Sequence, residues 1–146
     1  MYKRILLAYD GSEAGQKALL ECRELAQWSQ CAIELVAVMP SMMAFVGLEG
    51  GVYDVELEVR EKARFDAVLA DGLRRLQAVG FGSARGEVLT GEPIEEISRH
   101  ASKVGADLIV VGHKHVGSVA ARWWRGSVSK ALIEQAPCSV LCVVLP

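Results

Sequence analysis

The stretch VVGHKHVGSVAARWWRGSVSKAL (110–132) gathers the residue types that handle a phosphate group. Gly112, Gly117 and Gly126 punctuate it, His113 and His115 stand near its start, and Ser127 and Ser129 follow the last glycine. Gly126-Ser127-Val128-Ser129 opens a predicted helix, where the first backbone N–H groups carry partial positive charge and two hydroxyls add donors. Gly126 lets a phosphate approach the backbone closely. A plainer reading stands beside this one: Ser127 is an N-cap and Gly126 a turn residue. Between Arg122 and Arg125 lie Trp123 and Trp124. Either arginine can meet a phosphate with its planar fork. The tryptophans either pack beneath the loop or form the anchor of a protein contact.

Asp10 is the second chemical candidate. It ends the first apolar run in RILLAYDGS and precedes Gly11, so a turn alone explains it. As a functional group it is a carboxylate at a strand end, able to accept ribose hydroxyls or face a metal-bound phosphate. The histidines His100, His113 and His115 do not make a metal site, because two ligands on one segment fall short of a coordination set. No GxxxxGK[ST] occurs, no GxGxxG follows the first strand, and DGSEAG is not a nucleophile elbow.

These candidates need a scaffold, and the elements alternate. Strands are expected at 4–10, 32–39, 84–90, 106–112 and 138–145. Helices are expected after the Ser12 N-cap, over 54–79, from Pro93, and over 126–136. Ala18, Cys22, Leu25 and Ala26 give the first helix an apolar stripe. Ala63, Ala67, Ala70, Leu73 and Leu76 are the expected inward face of the second, and Ile94, Ile97, Ala101 and Val104 that of the third. Residues 40–53 read as loop. The strand at 84–90 is the weaker one, nearer an edge. A β-α-β-α-β-α-β-α-β pattern implies a parallel sheet with helices on both faces and ligands beyond the carboxyl ends of the strands. That edge holds Asp10, Val38 to Pro40, Gly112 and the quoted loop.

The bulk properties narrow the class. A chain of 146 residues, 51% hydrophobic and 23% charged, suits one globular domain over 1–146. A net charge of -2 argues against a general nucleic-acid binder. No segment reaches the roughly 20 apolar residues that span a bilayer, and the apolar run at the start stops too soon for a signal peptide. A cytoplasmic protein with no membrane partner is expected. Cys22, Cys31, Cys138 and Cys142 show no zinc spacing and read as buried reduced thiols.

KRILLAYDGSE at the start, GEPIEEI in the middle, and ADLIVVGHKH and RGSVSKALIEQAPCSVLCVV at the end resemble the universal stress proteins of single-domain type. The resemblance covers nearly the whole chain. It implies an open five-stranded parallel α/β sheet of order 3-2-1-4-5, Rossmann-like, and a homodimer joined through the last strand at 139–144. No residue supplies an obvious general base for rapid hydrolysis, so a stress-response binding or switching role is expected rather than an efficient enzyme. One branch of the family binds ATP through Gly-x2-Gly-x9-Gly-Ser/Thr, and the other lacks that pattern. Here Gly112 matches the first glycine and Gly126-Ser127 the last pair, but His115 replaces the second glycine. Gly117 comes next, and the loop from Gly112 to Gly126 is one residue longer than the pattern. Either the His115 Cβ blocks the phosphates, or Gly117 restores their approach in a shifted register, or His115 itself contacts phosphate. The resemblance puts the base and ribose against Ala8, Tyr9, Asp10 and Val38. It puts the phosphates against Gly112, Gly126, Ser127, Val128 and Ser129, with Val111, His115 and Gly117 completing the candidate set. The ligand implied is ATP, with Mg²⁺. The alternative is a dimeric interaction protein that binds no nucleotide.

Overall fold

The computed structural model describes residues 1–41, 54–114 and 126–145. Within them β1 (Arg4–Ala8) leads to α1 (Glu13–Ser29), β2 (Ala32–Met39), α2 (Val55–Ala78), β3 (Arg85–Thr90), α3 (Pro93–Val104), β4 (Leu108–Lys114), α4 (Gly126–Gln135) and β5 (Ser139–Leu145). The five strands form one parallel sheet in the order β3-β2-β1-β4-β5. This is the expected fold, and β3 lies at an edge as its weaker apolar pattern implied.

β1 is central and covered on both faces, which is why successive residues Ile5 to Ala8 are all apolar and buried. Ile5 and Leu7 join Leu35 and Val110 beneath α1 and α2. Leu6 and Ala8 join Val36, Val38, Ile109 and Val111 beneath α3 and α4. A strand's side chains alternate between faces, so these two layers are the two halves of a doubly wound domain. No helix among the described residues is long and apolar enough to cross a membrane.

Several boundaries differ from the sequence expectation. β1 ends at Ala8, so Tyr9 and Asp10 lie past the strand. β4 starts two residues later than expected and runs to Lys114. Ala106 donates back to the Ala101 carbonyl at the end of α3, while β5 holds the far end of β4 through Lys114↔Leu145. The inward face of α2 is a second correction. Ala63, Ala67 and Ala70 are exposed, and Val68, Leu69, Leu73 and Leu76 pack on the sheet. Both stripes fit a helical period, and the larger side chains take the interior because they remove more apolar area from water. The thiols divide: Cys22 and Cys31 are buried, whereas Cys138 and Cys142 are only half-buried on the last strand and its approach.

His100 carried no role in the sequence reading, yet it is the only polar side chain among the described residues to be fully buried. It lies on α3, and its Nε2–H donates to Glu34 Oε1 on β2 at 3.0 Å. Its Nδ1 is 3.8 Å from Glu87 Oε2 on β3.

Candidate functional site

Asp10 follows β1 at the carboxyl edge, where Ser12 begins α1. The Asp10 Oδ1 atom accepts from the Ser12 backbone N–H at 3.0 Å and from the Ser12 hydroxyl at 2.5 Å. Ser12 Oγ in turn accepts from the Gly15 N–H at 3.0 Å and caps the helix. The aspartate is therefore both a turn residue and a positioned carboxylate. Its Oδ2 atom has no hydrogen-bond partner among the described residues.

Gly112, near the end of β4, sits against the first turn of α1. A Cβ on it would lie 2.3 Å from the Ala14 carbonyl oxygen and 2.8 Å from the Gly15 nitrogen. A Cβ on Gly15 would lie 2.7 Å from Asp10 Oδ1. Asp10, Gly15 and Gly112 thus interlock across the crevice between β1 and β4. Strand order reverses at that crevice, which is where open parallel sheets bind ligands. Gly112 is required for helix–sheet packing whatever else it does. The sequence reading missed that reason because it needs the position of α1.

Ala8 and Val111 are opposite in register, and both are buried with Val38 in the layer beneath α3 and α4. Tyr9 goes the other way. Its ring is 1% exposed, and its hydroxyl donates to Asp71 Oδ2 on α2 at 2.8 Å. Burial first, then the Asp71 hydrogen bond, push the phenol up to about 12. The Asp71 carboxyl is held below its usual range, chiefly by the hydrogen bond from Arg75 and then by that from Tyr9. Arg74 and Arg75 reach Asp71 at 2.7 and 2.8 Å. The Tyr9 N–H is donated to the Val36 carbonyl at 2.8 Å. The side chain of Tyr9 therefore braces α2 under the site, and only its backbone lies at the edge. Asp71 is a supporting residue that sequence reasoning missed.

Gly126, Ser127 and Val128 form the first turn of α4, with Ser129 next. Ser129 is half-buried, and its Oγ is 3.6 Å from the Cys142 thiol that donates to it. The first backbone N–H groups of a helix have no intrahelical partner. His115, Gly117, Arg122, Trp123, Trp124 and Arg125 lie outside the described residues. Among the described residues, no group of three or more His, Cys, Asp or Glu could hold a metal ion.

Comparison with known proteins agrees with this architecture. The universal stress protein family model matches residues 1–144. A universal stress protein of Thermus aquaticus is 32% identical over 145 residues, covering 98% of this chain and 99% of its own. Another, YxiE of Bacillus subtilis, is 31% identical over 150 aligned positions, covering 98% and 99%. The crystal structure of a family member from Burkholderia pseudomallei superimposes with a TM-score of 0.75 at 26% identity, over 97% of this chain and 96% of that one. Two further structures share the fold. One, from Arabidopsis thaliana with AMP bound, has a TM-score of 0.71 at 19% identity, over 99% and 92%. The other, from Archaeoglobus fulgidus in complex with dAMP, has a TM-score of 0.65 at 22% identity, over 97% and 98%. With a family match across almost the full length and relatives above 30% identity end to end, this chain belongs to the universal stress protein family.

Proposed function

We propose that the protein binds an adenine nucleotide, ATP with Mg²⁺, in the crevice between β1 and β4, and serves as a stress-response binding or switching protein. The observation that carries this reading is the Asp10 carboxylate. Ser12 fixes one oxygen by two hydrogen bonds, and the other oxygen has no hydrogen-bond partner among the described residues at the switch point of the sheet. Such an oxygen suits a ribose hydroxyl, or one position in the shell of a cation that takes its other ligands from phosphate and water. The start of α4 would supply the complementary donors: the N–H groups of Gly126 to Ser129 and, from the sequence, the hydroxyls of Ser127 and Ser129. Ala8, Tyr9 and Val38 would flank the base, with Val111, Gly112, His115 and Gly117 toward the phosphates. The fold neighbours solved with AMP and with dAMP support the choice of adenine.

The proposed role is binding rather than turnover. Among the described residues, the hydroxyls next to Asp10 are engaged: Ser12 with Asp10 and Gly15, and Tyr9 with Asp71. The proposed setting is the cytoplasm, which suits four cysteines that form no disulfide. The proposed assembly is a homodimer through 139–144. β5 is the last strand of the sheet and exposes Leu141 and Val144, an edge that proteins rarely leave bare.

The test is calorimetric titration of nucleotide-stripped protein with ATP and Mg²⁺, beside Asp10→Asn and Gly126→Val. The asparagine keeps an oxygen acceptor for Ser12 while removing the charge. Micromolar binding that weakens at least roughly tenfold in both variants supports the site. Unchanged affinity in both would place the nucleotide elsewhere. A complete lack of heat and of thermal stabilisation in the parent would favour the second reading, a dimeric interaction module without nucleotide. Replacement of the second motif glycine by His115 motivates that reading.

A further inference from the structure

The opposite, amino-terminal edge of the sheet carries a second polar cluster. Arg4 on β1, Glu34 on β2 and Arg85 on β3 stand on the face covered by α3, where the strands otherwise bury Leu6, Val36 and Leu89. They line a cavity of about 310 Å³ with Ala32, Ile33 and Ser83. That volume lies at the small end of ligand pockets.

The members of the cluster are held in different ways. Arg4 is fixed at both ends. Its N–H donates to Asp107 Oδ1 at 3.0 Å, its carbonyl accepts from the Asp107 N–H at 3.0 Å, and its Nη1 donates to the Val104 carbonyl. Glu34 is oriented from below by buried His100, which occupies Oε1 and leaves Oε2 without a partner among the described residues. Arg85 is opposite Glu34 in register, yet its guanidinium forms no ion pair or side-chain hydrogen bond among the described residues. A guanidinium beside a carboxylate that does not pair with it is a donor fork left for something else.

We infer that this cavity binds a small carboxylic acid bearing a hydroxyl or amino group. The ligand carboxylate takes the Arg85 fork, the remaining donors of Arg4 and the Ser83 hydroxyl. The ligand's own donor goes to Glu34 Oε2, which would otherwise repel a bare anion. The strand rise of ~3.3 Å per residue puts Arg4 roughly 20 Å from Asp10, so this site is separate from the proposed nucleotide crevice.

The probes are L-malate and succinate, which differ by one hydroxyl, titrated into the nucleotide-free protein and followed through the backbone amide signals of Ser83 and Arg85. Saturable shifts are expected with malate, with succinate at least roughly tenfold weaker because Glu34 is then left facing no donor. Arg85→Ala, at an exposed position, should weaken malate at least roughly tenfold. Arg60→Ala on α2, which removes the same charge elsewhere, should leave it within about twofold, and so should Asp10→Asn. No saturable shift, equal affinity for the two acids, or equal weakening by Arg60→Ala overturns the inference.

Discussion

The Tyr9 hydroxyl donates to Asp71 Oδ2 at 2.8 Å, so the residue just past β1 is tied to the middle of α2. Gly72 makes room for this contact. A Cβ there would come within 2.8 Å of Tyr9 Cδ1 and 2.6 Å of Leu35 Cδ2. The residue that begins the proposed nucleotide edge is thereby braced from beneath by α2, whose Val68 also lies close to Gly11.

Tyr9→Phe should cost about 1 kcal/mol, because the change removes one hydrogen bond and leaves Asp71 with its two arginine partners. The effect should grow less distinct in alkali. Tyr9 is held neutral, with its phenol raised from 10.0 to about 12. The folded state therefore keeps a proton that the unfolded state gives up. This contribution is intact below pH 10 and is lost as the pH rises through about 12. Urea unfolding at about pH 8 and about pH 11 should show the parent falling more steeply than Tyr9→Phe. Parallel losses would mean that the phenol is not sheltered.

His100 fills space beneath α3 and supplies the one buried partner of Glu34. His100→Ala creates a cavity and strips the carboxylate of its donor, so a loss of about 3 kcal/mol is expected in chemical denaturation. His100→Gln retains a donor and most of the volume and should lose about half as much. Equal losses in the two variants would show that volume alone matters at this position.

Reading the chain as a sequence reached the alternation of elements because β1 and β4 are apolar on successive residues and the first and third helices carry clean stripes. It failed where two elements must be seen at once. The alanine stripe at 63, 67 and 70 is as periodic as the stripe through Val68, Leu69, Leu73 and Leu76. Only volume against the sheet separates them. His100 has no role in the sequence until Glu34 and Glu87 arrive from strands distant in the chain. Asp71 becomes a supporting residue only through Tyr9. At the candidate site, Asp10 and Gly112 were legible as residues of the ligand edge, but their mutual packing through Gly15 was not, because no spacing rule links them.

The cysteines should react in two classes. The Cys22 thiol is fully buried and pushed well up, first by desolvation and then by the neighbouring Cys31 and Glu21. A thiol that cannot ionise is a poor nucleophile. Cys22 should stay unlabelled by an aromatic disulfide reagent in native buffer and react fully in denaturant. Cys138 and Cys142, only half-buried, should label ahead of it. Burial raises the Cys138 thiol and slows it. Mass spectrometry of partially labelled protein distinguishes the order, and early labelling of Cys22 would contradict the packing of α1.

Gly112→Ala separates packing from ligand binding. The new methyl would sit 2.4 Å from the Ala14 carbonyl carbon and 2.3 Å from its oxygen. These are backbone atoms in the first turn of α1, so a side-chain adjustment cannot relieve the contact. Either α1 or β4 must shift, at a cost of about 3 kcal/mol. Because Gly15 abuts Asp10, the shift carries to the carboxylate, and nucleotide affinity should fall along with stability. Gly126→Val stands at the proposed phosphate contact and should reduce affinity while lowering the unfolding midpoint less. Thermal melts and ATP titrations on both variants test the distinction. If Gly112→Ala left stability unchanged and abolished binding, the glycine would be serving the ligand directly and the α1 contact would not be what requires it.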